Sequence, residues 1–144
     1  MRLSATGNLL VETIAPKVRI LRFERDDLRE ALFADLDIVH SPLYLEILDV
    51  ALSDLPHDWT LIVDLKRLPS IGSTFYRCLL GIREFLFNRG ARLILCNPRR
   101  QPRDVFKLFG AERIFTIRRT EQDALTAAEQ GLGKIQRLTA STAN

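Results

Sequence analysis

The feature that most restricts this chain is a strand, a short loop and a helix in immediate succession. Thr60-Leu61-Ile62-Val63-Asp64-Leu65 is short, apolar and partly β-branched, the composition of a buried strand. Phe75 to Phe87 is apolar at helical spacing. Leu68-Pro69-Ser70-Ile71-Gly72-Ser73-Thr74 joins them and acts as their hinge. Ser73 or Thr74 stands where an N-cap belongs, its hydroxyl facing the unpaired amides of the first helical turn. The helix dipole favours a phosphate or another anion at the same place.

The pattern around this unit repeats. Ser41-Pro42 opens a helix, Ser as cap and Pro at the first position, and Leu45, Leu48, Leu52 and Leu55 follow at helical spacing. Asn88-Arg89-Gly90 closes the helix after the hinge, with Gly90 free to take the left-handed conformation. Arg92 to Cys96 is a further strand, Asn97 to Gln101 a basic loop, and Pro102 opens a short helix that ends at Gly110. Arg113 to Ile117 is the last predicted strand, and Thr120-Glu121-Gln122-Asp123 resembles a capping box before a terminal helix. Upstream, Asn8 to Ile14 reads as a short edge strand. Val18 to Phe23 reads as its antiparallel partner, with Val18, Ile20 and Phe23 inward and Arg19 and Arg22 outward. Glu24 to Asp37 is charged, and a short helix from Arg25 to Phe33 is one reading of it.

Strands alternating with helices require right-handed crossovers and a mainly parallel sheet. The expected fold is therefore α/β: one mixed sheet with an antiparallel N-terminal edge hairpin and about four helices. One domain spans residues 8–132, and residues 133–144 form a flexible tail. A chain of 144 residues buries about 70% of its unfolded surface, enough to fold without a metal or disulfide. In such sheets ligands gather beyond the carboxyl ends of the strands. Three loops should meet there: Ile38–Ser41, Pro69–Thr74 and Asn97–Gln101.

Composition narrows the function. No apolar run reaches the roughly 20 residues of a membrane span, and the N-terminal residues lack a signal-peptide core, so the expected compartment is the cytoplasm. Cys78 and Cys96 are read as reduced core residues. With His40 and His57 they are too dispersed for a metal site, and no cofactor is expected. Residues 1–65 carry a net charge of −6 and residues 66–144 a net of +9, giving +3 in all. The basic half has no nucleic-acid recognition motif, so opposed acidic and basic surfaces point to protein association. Asp64 reads as a strand-end carboxylate capping loop amides. A Ser73–His40 nucleophile pair has no elbow motif or oxyanion pair to support it.

Leu61-Ile62-Val63-Asp64-Leu65 followed by Ile71-Gly72-Ser73-Thr74 resembles the signature of the STAS domain, the fold of bacterial anti-sigma factor antagonists. Arg89 to Leu95, Asn97-Pro98, Val105 to Ala111 and Ile114-Phe115 continue the likeness in order, over about residues 8–130. The resemblance implies a non-enzymatic regulator that binds a serine-kinase-like anti-sigma factor, which phosphorylates a serine of the signature while a phosphatase restores it. It puts the phospho-acceptor at Ser73, with Thr74 next. It puts the partner surface at Ile71, Gly72, Phe75, Tyr76 and Arg77, joined by Arg99 and Arg100 of the basic loop. The alternative it allows is an unphosphorylated module that holds a protein, a small anion or a lipid at the same hinge. Gly72 stands where the family has Asp, Phe75 where it has Gly, and Arg77 where it has a small residue.

Overall fold

The computed structural model describes residues 1–25 and 41–130. The reading of Arg25–Phe33 as a helix, His40, most of the Ile38–Ser41 loop and the C-terminal tail lie outside these residues. Among these residues six strands form one sheet in the order of the chain: β1 (Arg2–Leu3), β2 (Leu9–Ala15), β3 (Val18–Phe23), β4 (Thr60–Asp64), β5 (Arg92–Cys96) and β6 (Thr116–Arg118). β1, β2 and β3 are antiparallel neighbours, and β3 through β6 run parallel. The mixed α/β sheet is the expected one.

Four helices are present among the described residues: α1 (Pro42–Ile47), α2 (Ser73–Asn88), α3 (Arg100–Phe109) and α4 (121–130). Ser41 caps α1, its hydroxyl accepting from the Tyr44 amide at 3.0 Å. A turn of π-helix, Leu48–Leu52, prolongs α1. Gly90 takes φ +69° and ends α2 in a double bond pattern, Ala91 N–H to Leu86 C=O at 2.8 Å and Gly90 N–H to Phe87 C=O at 3.1 Å. Thr120 caps α4 through the Asp123 amide at 3.0 Å.

The helices divide between the two sheet faces. Leu9, Val11, Leu21, Phe23, Leu61, Val63, Leu65 and Leu95 meet α1, α2 and Phe106 of α3 in the larger core. Val18, Ile20, Ile62, Ile94 and Cys96 meet Ala124, Ala127 and Ala128 of α4 in the smaller one. The period-2 alternation of a strand thus serves both sides, because the central strands are covered twice.

Three expectations change. The strand at Leu9–Ala15 is not the edge, since β1 pairs outside it. Arg113 is in a 3₁₀ turn (Ala111–Arg113), and the last strand starts at Thr116. Arg19 and Arg22 are half-buried rather than solvated, because β3 is covered on both faces. Arg19 lies over the Trp59 ring and donates to Ala51 C=O and Asp54, while Arg22 ion-pairs with Glu12 and Glu121.

Candidate functional site

The parallel strands end together, and their ends set the site. Asp64, at the end of β4, is buried. Its Oδ1 accepts from the Lys66 amide at 3.0 Å and from Asn97 Nδ2 at 3.1 Å, so it caps loop amides as expected and also binds the loop after β5. Its Oδ2 has no hydrogen-bond partner among the described residues and lies 4.0 Å from Arg22 Nε and 3.9 Å from Lys66 Nζ. Arg22 Nη2 donates to both Glu121 oxygens, at 2.8 and 3.0 Å. Burial alone would lower the Arg22 pKa; the hydrogen bonds to Glu121 and Glu12 outweigh it and raise it. This polar cluster ties β3, β4 and the start of α4 to the base of the site.

Above it the hinge is pinned from two sides. Leu68 and Ile71 turn into the core, and Pro69, Ser70, Gly72 and Ser73 stay exposed. Gln101 of α3 holds Ile71 by both backbone groups: Ile71 N–H donates to Gln101 Oε1 at 2.7 Å, and Gln101 Nε2 donates to Ile71 C=O at 3.0 Å. A cleft of about 410 Å³ opens beside this clamp, lined by Pro69, Arg99, Arg100, Gln101 and Asp104. Two of the three expected loops therefore meet. Sequence reading placed Gln101 in a basic loop and missed its role; a polar residue at a helix start facing a Pro-containing turn was the only signal.

The cap differs from expectation. α2 begins at Ser73, so Gly72 is the N-cap, extended at φ −110° and ψ −177°, and no side chain caps the helix. Ser73 is the first helical residue and Thr74 the second. Neither hydroxyl therefore occupies the N-cap position, and neither makes a side-chain cap bond to the first-turn amides. The Ser73 hydroxyl is thus exposed and without a partner among the described residues, while Thr74 is half-buried. Arg77, one turn on, is exposed, as are Arg99 and Arg100.

Phe75 and Tyr76 are corrections to the expected partner surface, and Ile71 is a partial one. Phe75 is 2% exposed and meets Phe23 edge-on at 5.7 Å. Tyr76 is 6% exposed, against Phe109 at 4.7 Å, Phe115 at 5.9 Å and Phe106 at 6.3 Å. Both face the larger core because α2 packs on the sheet from its first turn. Ile71 keeps only its backbone near the surface. The accessible hinge is Pro69, Ser70, Gly72, Ser73 and Arg77, bordered by Arg99 and Arg100. His57 lies at the opposite end of α2, its Nδ1 2.6 Å from Arg89 C=O, so it is not the base for Ser73. Among the described residues no group of three His, Cys, Asp or Glu is placed to hold a metal, and no helix is long and apolar enough to cross a membrane.

Comparison with known proteins agrees with this geometry. The STAS domain family matches residues 16–124. A candidate anti-sigma factor antagonist from Thermotoga maritima superposes with a TM-score of 0.68 at 18% identity, over 84% of this chain and 94% of that one. An anti-sigma factor antagonist from Mycobacterium paratuberculosis gives 0.59 at 24% identity, over 84% and 92%. The Bacillus cell fate determinant SpoIIAA in its phosphorylated form gives 0.53 at 23%, over 83% and 97%. At these identities the likeness is one of fold. A comparison with curated proteins finds no match.

Proposed function

Because the chain belongs to the STAS domain family, we propose that it is a non-enzymatic regulator that binds an anti-sigma factor or related kinase-like protein through the hinge and the exposed start of α2, switched by phosphorylation of Ser73. The observation that supports this reading most is the Ser73 hydroxyl: exposed, unpaired among the described residues, at the head of a helix with no side-chain cap. Such a hydroxyl is reachable by a kinase and costs no structural hydrogen bond when modified.

A phosphate there adds about −1.5 to −2 charges at neutral pH. The uncapped first-turn amides are ready donors, and Arg77 lies one turn away on the same face. The unmodified surface is cationic, through Arg77, Arg99 and Arg100, and suits an acidic partner surface. The phosphate neutralises that surface and repels the partner. A phosphatase would reset it.

The test has two parts. Incubation with the cognate kinase followed by mass spectrometry should find phosphate on Ser73, or on Thr74 as the second choice, and the modified protein should bind the partner at least about tenfold more weakly. No phosphate on either residue under activating conditions overturns the switch. The second reading, a constitutive binding module, is favoured by Gly72, which offers no carboxylate beside the hydroxyl. It gains if Ser73→Asp leaves partner affinity unchanged while Arg77→Ala weakens it.

A further inference from the structure

α3 has two working faces. Arg100, Gln101 and Asp104 turn toward the hinge; Arg103, Phe106 and Lys107 turn toward β6. On that second side lies a groove of about 290 Å³, outside the hinge site. Its floor is apolar: half-buried Ile117, flanked by the edges of Phe106 and Phe115, each 4% exposed. One wall carries Arg103 and Lys107, a helical turn apart; the other carries Arg118 and Arg119 at the end of the last strand. Glu112 is the one carboxylate among the lining residues, and Arg103, Lys107 and Arg119 form no ion pair among the described residues.

We propose that this groove is a docking site for an acidic peptide segment of a partner protein, bound by an aromatic side chain on the apolar floor and by flanking carboxylates on the two basic walls. The distribution of charge selects this occupant. A compact anion would satisfy one wall and leave the floor uncovered. An extended chain reaches cations on both walls and covers the narrow apolar floor between them, Ile117 and the edges of the two Phe rings. Strand addition to β6 is the weaker mode, because the strand is only three residues long and Arg118 Nη1 already donates to Ile117 C=O at 3.1 Å. The excess positive charge is felt inside the protein too: burial, and then the charge of Arg118, hold the Arg92 guanidinium below its usual pKa.

The experiment uses the full chain and a fluorescein-labelled ten-residue peptide of Glu and Asp with one central Phe, followed by anisotropy and by amide chemical-shift mapping. The expected result is salt-sensitive binding with shifts centred on residues 103–119. Binding should weaken by about tenfold or more when the Phe becomes Ala, when the carboxylates become amides, or in the Arg103→Glu/Lys107→Glu variant. Arg118→Ala gives a second, milder variant should the double one misfold by circular dichroism. Equal binding of the Phe→Ala peptide means simple attraction between charges and overturns the proposal. So do full binding by the variants, displacement by inorganic phosphate alone at matched ionic strength, or shifts centred on α2. Ser73→Asp should leave this binding unchanged, so failure here is separate from failure of the hinge reading.

Discussion

Replacing Gln101 tests how the hinge is held. Its amide makes two hydrogen bonds to one residue, accepting from Ile71 N–H at 2.7 Å and donating to Ile71 C=O at 3.0 Å. A net contribution of about 0.5–1.5 kcal/mol per bond gives about 1–3 kcal/mol for the pair. Gln101 is exposed overall, so water can reach the orphaned groups in Gln101→Ala, and the loss should fall at about 1–2 kcal/mol. For a chain of 144 residues that lowers Tm by about 3–7 °C. The same change weakens the local clamp, so exchange of the Ile71 amide should quicken by about 5- to 30-fold if that amide exchanges by local opening. Gln101→Glu separates geometry from loss of bulk. Its carboxylate can still accept from Ile71 N–H but meets Ile71 C=O with a second acceptor, so it should be no better than Ala. Native-state hydrogen exchange with thermal melts reads both variants. Unchanged Ile71 exchange and Tm in Gln101→Ala, or wild-type behaviour in Gln101→Glu, would refute the idea that α3 fixes the hinge.

Other outcomes follow from particular contacts. Ser41→Ala removes a buried cap on α1 and should cost about 1–2 kcal/mol by urea unfolding. Gly90→Ala should cost about 1–2 kcal/mol from backbone strain at φ +69°, since the added methyl would meet only His57 Nδ1, at 4.0 Å. Burial acts to raise the Asp54 pKa, but hydrogen bonds from Arg19 and then Arg2 outweigh it, and the carboxyl sits below its usual value. Its contribution is therefore present above the unfolded pKa and lost as pH falls through the folded one. Asp54→Asn should be destabilised at neutral pH by less than about 1 kcal/mol, as fits a half-exposed pair, and should match the parent in acid. Burial pushes the Cys78 and Cys96 thiols up to about 12, so native-state alkylation of both should be slow and should accelerate with unfolding.

The architecture was legible because its signals were local and redundant. The apolar runs at 60–65 and 92–96, the Ser41-Pro42 opening and Gly90 each define an element without help from distant residues. What failed depended on a single residue of phase or on tertiary cover. The start of α2 is one residue earlier than the hydroxyls suggest, which turns Ser73 from a cap into an unengaged first residue. The resemblance put Phe75 and Tyr76 on the partner surface, although the residue type of Phe75 also suited core or hinge packing; only the packing of α2 against Phe23 and Phe115 decides their side. Arg22 looked solvated until α4 brought Glu121 to it from 99 residues away. Gln101 gave almost no sequence signal, because an amide's partners are set by where a neighbouring turn lies in space.

The sheet runs β1 to β6 in unbroken chain order. No strand has to be inserted between two that are already paired. As the polypeptide leaves the ribosome, each newly emerged strand can therefore zip onto an edge left open by its predecessor, which sets its alignment in advance. Assembly can proceed vectorially, with β6 and its basic groove completed only after every earlier strand is in place.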